Sequence, residues 1–178
     1  MTGLMAGSTF AIIVLLTALN GASAWNQTAN QEKRNEEVIR LATEAMNRHD
    51  VQAYVSYFAE DTKNFDRPVG REGIRRSIED IFTTFPDYRH DTIEVIAKDD
   101  SVVVRCTTSG THRGIGKLSL NGGMLVGIEP TQKHFAVQHI HWYKLRDGKI
   151  VAHTANRDDI GMMRQLGLLP TVASSKNE

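Results

Sequence analysis

Four of the seven histidines in this 178-residue chain, His112, His139, His141 and His153, fall near strand ends or along the third and fourth predicted strands. Imidazole changes charge near neutral pH, so a histidine in a partly dry pocket is well suited to take a proton from a substrate and return it. His139 and His141 are two residues apart, the spacing that puts side chains on one face of a strand. Phe135 and Val137 share that face, while Ile140 and Trp142 take the other. Alternation alone leaves two readings open: the imidazoles line an interior space, or Ile140 and Trp142 pack the core and the histidines meet water. A His-x-His pair also suits a transition-metal ion. No second closely spaced ligand pair accompanies it, so no metal is expected, and a histidine-ligated metal enzyme stands as a third-ranked reading. Asp158 and Asp159 read as caps of a short terminal helix. The chain has no Gly-rich phosphate loop opening a helix, no serine elbow and no Cys–His context, which leaves nucleotide and covalent-nucleophile chemistry unsupported. Cys106, the single cysteine, lies in the apolar run Val102 to Cys106 and reads as a small buried hydrophobe.

The elements that must position these residues follow from hydrophobic periodicity. Val38, Leu41, Ala42, Ala45 and Met46 recur at helical spacing within Gln31 to Arg48. Val51 to Phe58 predicts a short second helix capped by Asp50, and Asp61 to Pro68 breaks the pattern. A third helix is predicted from Arg71 to Thr84, on Ile74, Ile78, Ile81 and Phe82. After Pro86 the period becomes two: Thr92 to Ala97 and Ser101 to Ser109 form a hairpin about Lys98-Asp99-Asp100. Gly110 to Gln132 is a long glycine-rich loop with a short strand in Met124 to Ile128. His134 to Leu145 and Ile150 to Asn156 make a second hairpin about Asp147-Gly148. A last helix spans Ile160 to Leu166 and ends at Gly167. Helices first and meandering strands after predict an α+β fold: a curved antiparallel sheet with about three helices packed on its concave side.

Composition bounds the partners. With 40% apolar and 24% charged residues, one globular domain is expected, large enough to bury about 70% of its unfolded surface and still hold a pocket. The 21 basic side chains balance 21 acidic ones, which disfavours nucleic acid and anionic membrane as partners and leaves a small-molecule substrate. At the amino terminus no charged side chain precedes Glu32, and the apolar run Phe10 to Leu19 is about half the length of a membrane span. Ala22-Ser23-Ala24 has the form of a signal-peptidase site. Residues 1–24 therefore read as a signal peptide for export (secreted or periplasmic), with the mature chain starting at Trp25; the alternative is a membrane anchor formed by residues 10–24. The domain is expected over 25–170, followed by a polar tail at 171–178.

A set of short motifs, in order, adds a resemblance. Gly70-Arg71-Glu72-Gly73-Ile74, Phe85-Pro86-Asp87, Thr108-Ser109-Gly110-Thr111-His112, Glu129-Pro130-Thr131, Asp147-Gly148-Lys149-Ile150 and Met163-Arg164-Gln165-Leu166-Gly167 together resemble the SnoaL-like polyketide (ester) cyclases of the nuclear-transport-factor-2-like superfamily. The resemblance covers about Glu36 to Leu169. It implies a cone-shaped α+β barrel around an apolar pocket, catalysis without metal or organic cofactor, and a homodimer. It further implies acid/base chemistry on a small apolar carbonyl compound: intramolecular aldol cyclisation, isomerisation or dehydration. His141 matches the family's pocket histidine, which turns His139 and His141 inward. His153 matches the histidine of the next strand, but Ala155 stands where the family keeps its acid. Asp158 is the candidate replacement carboxylate, paired with His141 or His153, and it equally reads as a cap. His112 would polarise a carbonyl, and His139, Trp142, Tyr143, Asn156 and Arg157 would contact substrate. A non-catalytic ligand-binding domain of the same fold is the alternative that Ala155 supports.

Overall fold

The computed structural model describes residues 9–118 and 124–169, with side chains from Asn26 onward. The expectations for residues 1–8 and for the polar tail lie outside the described residues. Ten elements follow one another: α1 (Thr9–Asn47), α2 (Val51–Ser56), β1 (Phe58–Asn64), β2 (Arg67–Pro68), α3 (Gly70–Thr84), β3 (Arg89–Lys98), β4 (Ser101–Thr111), β5 (His134–Arg146), β6 (Lys149–Arg157) and α4 (Asp159–Gln165). Among the described residues no helix is long and apolar enough to cross a membrane.

The strands form one curved six-stranded sheet in the order β2-β1-β6-β5-β4-β3, which does not close into a barrel. The two hairpins lie where the period-two runs predict them. Their register is continuous from Ser101↔Lys144 to Thr111↔His134 between β4 and β5. The sheet is not wholly antiparallel, because β1 runs parallel to β6. This corrects the sequence reading, which ended a helix at Phe58 and left Asp61 to Pro68 irregular. The segment Glu60-Asp61-Thr62-Lys63-Asn64 is poor in strand-forming residues, and pairing with β6 imposes the extended conformation on it.

Two clusters make the core. One joins Ile39 and Ala42 of α1, Val55 of α2, Ile74 of α3 and the inward residues Val102, Val104, Cys106, Tyr143, Leu145 and Ile150. The other joins Phe85, Leu125, Phe135 and Val137 to Met162, Met163 and Leu166 at the carboxyl-terminal helix. Apolar burial at helical spacing on α1 and α3 sets both helices against the sheet. β5 alternates strictly, with every odd-numbered residue from Phe135 to Leu145 buried. The loop after β4 is tied down rather than free: the Asp80 carboxylate of α3 accepts the backbone N–H groups of Lys117 and Leu118 at 2.9 and 3.1 Å. Gly114 passes so close to α3 that a Cβ there would run into the Thr83 carbonyl. The strand expected in Met124 to Ile128 reduces to an isolated bridge between Gly116 and Val126.

Candidate active site

The concave face of the sheet, covered by α1, α2 and α3, encloses a cavity of about 130 Å³. That far exceeds the 10–15 Å³ that, on the same measure, holds one water. Its wall is apolar on the helical side, through Met46, Tyr54, Ile74, Ile78 and Ile81, while β3, β5 and β6 contribute His90, His139, His141, Tyr143, His153 and Arg157.

A directed hydrogen-bond chain runs through β1, β6 and β5. His153 Nδ1 lies 2.8 Å from the Asn64 side-chain oxygen, and His153 Nε2 lies 2.9 Å from His141 Nδ1. An amide oxygen only accepts, so His153 carries its proton on Nδ1 and offers the lone pair of Nε2. His141 must then donate from Nδ1. Its Nε2 is left as a lone pair, buried and without a hydrogen-bond partner. Local structure explains the alignment: Asn64 pairs with His153 across β1–β6, and His141 faces Ala155, two residues further along β6. The His141 and His153 rings stack with centroids 5.1 Å apart, and Tyr143 stacks on His153 at 4.9 Å.

Burial controls the charge of the group. Loss of hydration lowers His90 and His139 to about 4 and His153 to about 3. It lowers His141 well below its ordinary value, with a further push from the neighbouring His153, His90 and His139. All four imidazoles are therefore neutral at pH 7. His139 Nδ1 is 3.2 Å from the Thr108 hydroxyl. Burial also raises the Tyr88 phenol, which shares Thr108 as a hydrogen-bond partner. The cationic member of the wall is Arg157, held by Asp159 at 3.3 Å and lying over the Phe65 ring at 5.3 Å.

The sequence-derived site residues divide into two groups. His139, His141, Tyr143, His153 and Arg157 line the cavity together. The other four stand elsewhere. Trp142 is half exposed on the outer face of β5, because its parity is opposite to that of His141. Asn156 is exposed on the same outer face, paired in register with Ile140. Asp158 accepts the Gly161 backbone N–H at 2.7 Å as the cap of α4, so its carboxylate is turned to the helix and forms neither of the expected pairs with His141 or His153, whose partners are each other and Asn64. His112 is fully buried behind Phe85, with Nδ1 accepting the Thr131 N–H, and it anchors the loop rather than lining the cavity. Sequence reasoning passed over His90, whose ring lies 4.8 Å from that of His141 and tilted to it by 41°, and Asn64. His90 sits between Arg89 and Asp91, charged neighbours that mask an inward position. Asn64 lies in the strand that composition hides.

Comparison with known proteins agrees with the fold. The family described as SnoaL-like polyketide cyclase matches residues 36–166. No curated protein sequence matches the chain. Among solved structures, AclR of Streptomyces galilaeus, described as a candidate hydroxylase, is similar at 22% identity and a TM-score of 0.66, over 80% of this chain and 87% of its own. IdmH of Streptomyces antibioticus, described as a candidate polyketide cyclase, is 26% identical with a TM-score of 0.61, over 75% and 98%. TsrD of Streptomyces laurentii is 24% identical with a TM-score of 0.65, over 77% and 97%.

Proposed function

Since the chain belongs to the SnoaL-like polyketide cyclase family, we propose that it performs cofactor-free acid/base chemistry on a small, largely apolar carbonyl compound, with intramolecular aldol cyclisation as the reaction. The observation that carries this reading is the bare Nε2 of His141, fixed as an acceptor by His153 and Asn64 and buried in an apolar cavity.

In this reaction His141 Nε2 removes a proton from the carbon next to a carbonyl. The electron pair passes to the carbonyl oxygen, and the resulting enolate is stabilised by the guanidinium of Arg157 across a low-dielectric space. The imidazolium of His141 is stabilised in turn, since its Nδ1–H already points at the His153 lone pair. The enolate carbon then attacks a second carbonyl of the same molecule. The alkoxide so formed takes the proton back from His141 Nε2, and nothing is oxidised or reduced. Ala155 removes the acid that the resemblance places beside His141, so base and proton donor are one residue used twice.

Deuterium exchange at the acidic carbon of an apolar ketone in D₂O isolates the proton-transfer half of this scheme without the natural substrate. The protein should accelerate exchange, and His141→Gln should lose about 10² to 10⁴ of that acceleration while keeping its fold. Unaltered exchange in the variant assigns the base elsewhere. A ketone that binds the cavity without any acceleration by the parent protein favours the ligand-binding reading.

A further inference from the structure

One set of donors joins a core thiol to two of the cavity histidines. His90, Cys106 and His141 come from three neighbouring strands, β3, β4 and β5, and all three side chains are buried. One donor atom from each lies within 4.8 Å of the other two. Strand register produces the arrangement. His90 pairs with Thr108 and His141 with Val104, so each imidazole stands one diagonal step from Cys106, on opposite sides of it along the sheet. Both histidines hold an Nε2 that is buried without a hydrogen-bond partner. The Cys106 sulfur has only long contacts, 3.7 Å to the His139 carbonyl and 3.9 Å to the Thr108 hydroxyl. Buried polar atoms ordinarily find partners, and two orphaned imidazole nitrogens beside a thiol form a donor set without an acceptor for its lone pairs.

We propose that His90, Cys106 and His141 form a binding site for a borderline or soft transition-metal ion of the Zn²⁺ class. One thiolate and two imidazoles suit such an ion, whereas Mg²⁺ and Ca²⁺ require oxygen donors that the set lacks. Bonds of about 2.0–2.3 Å place three donors roughly 3.5–4 Å apart. Closure from the observed triangle thus requires inward movements of roughly half an ångström per side chain, within reach of small χ adjustments. Cys106 loses its proton to solvent on binding, as metal-bound thiols do. Three protein ligands leave a further coordination position open, and His90 and His141 both face the cavity. The ion would take the lone pair of His141 that the proposed reaction uses, so metal and proton compete there. The site itself rests on the donor geometry and not on the reaction.

Cobalt(II) titration of the reduced, metal-stripped full chain tests the site. Cys106 is the single cysteine, so any sulfur-to-cobalt charge-transfer band reports it alone. The band should saturate at one equivalent and be bleached by Zn²⁺. It should vanish in Cys106→Ala. His90→Gln, which keeps the thiol, should weaken cobalt binding by at least the roughly 10- to 100-fold that loss of even an outer-shell partner costs. Circular dichroism establishes that the variants fold, and Cys106→Ser replaces Cys106→Ala if the latter does not. Cobalt uptake without the band, or a band of undiminished affinity in His90→Gln, overturns the proposal. Neither result touches the deuterium exchange, so the metal site and the base stand or fall separately.

Discussion

At the level of single residues, the account turns on which nitrogen of His141 carries a proton, and that is decided two residues away. Asn64 accepts from His153, His153 accepts from His141, and the order follows from the chemistry of an amide oxygen. Asn64→Asp keeps the acceptor and adds a negative charge that favours the protonated imidazoles. The acid limb of the exchange rate should therefore move to higher pH than in the parent, where burial keeps His141 neutral to well below 6.5. Rate profiles of the two proteins from pH 4 to 8 measure this. A limb that stays in place would mean that His153 does not transmit the charge.

At the level of elements, the positions of the histidines were legible in the sequence wherever a strand alternates cleanly. The period-two run of β5 predicted that His139 and His141 share a face, and the resemblance chose the inner one; burial of the odd-numbered residues agrees. The same alternation places Trp142 outside, against its assignment to the substrate. β1 was illegible because its polar residues carry no strand pattern and extend only through pairing with β6, and Asn64 was lost with it. Of the two readings of Asp158, the observed contact belongs to the cap: its carboxylate accepts the Gly161 N–H at the start of α4. Asp158→Asn should leave both exchange and stability near the parent values, since Asn caps as well as Asp. Asp158→Ala should cost about 1 kcal/mol of stability. Urea midpoints and exchange rates of the pair check this; a loss of exchange in Asp158→Asn at unchanged stability would restore the aspartate to the chemistry.

At the scale of the whole molecule, the fold holds four neutral imidazoles in one interior, and that arrangement has a pH signature. His90 and His139 titrate at about 4 and His153 at about 3 in the folded protein, against about 6.5 when unfolded. These folded values are depressed, so unfolding takes up protons once the pH drops below about 6.5. Stability should be full above that pH and fall between 6.5 and 4.5, before the carboxylates titrate, by up to about 1.4 kcal/mol per pH unit for each histidine. Urea unfolding at pH 7.5 and at pH 5 measures the loss; equal midpoints would mean that the histidines are not held neutral.

The central claim is that His141 presents an unprotonated Nε2 to the cavity, and nitrogen-15 NMR of the histidine rings reads it directly. The account predicts that at pH 7 the signals of His141 and His153 show both rings neutral and protonated on Nδ1, with the Nε2 of His141 in the range of a free lone pair. Removal of the Asn64 acceptor in Asn64→Leu should release the preference in both rings. A His141 ring protonated on Nε2, or charged at pH 7, would contradict the account.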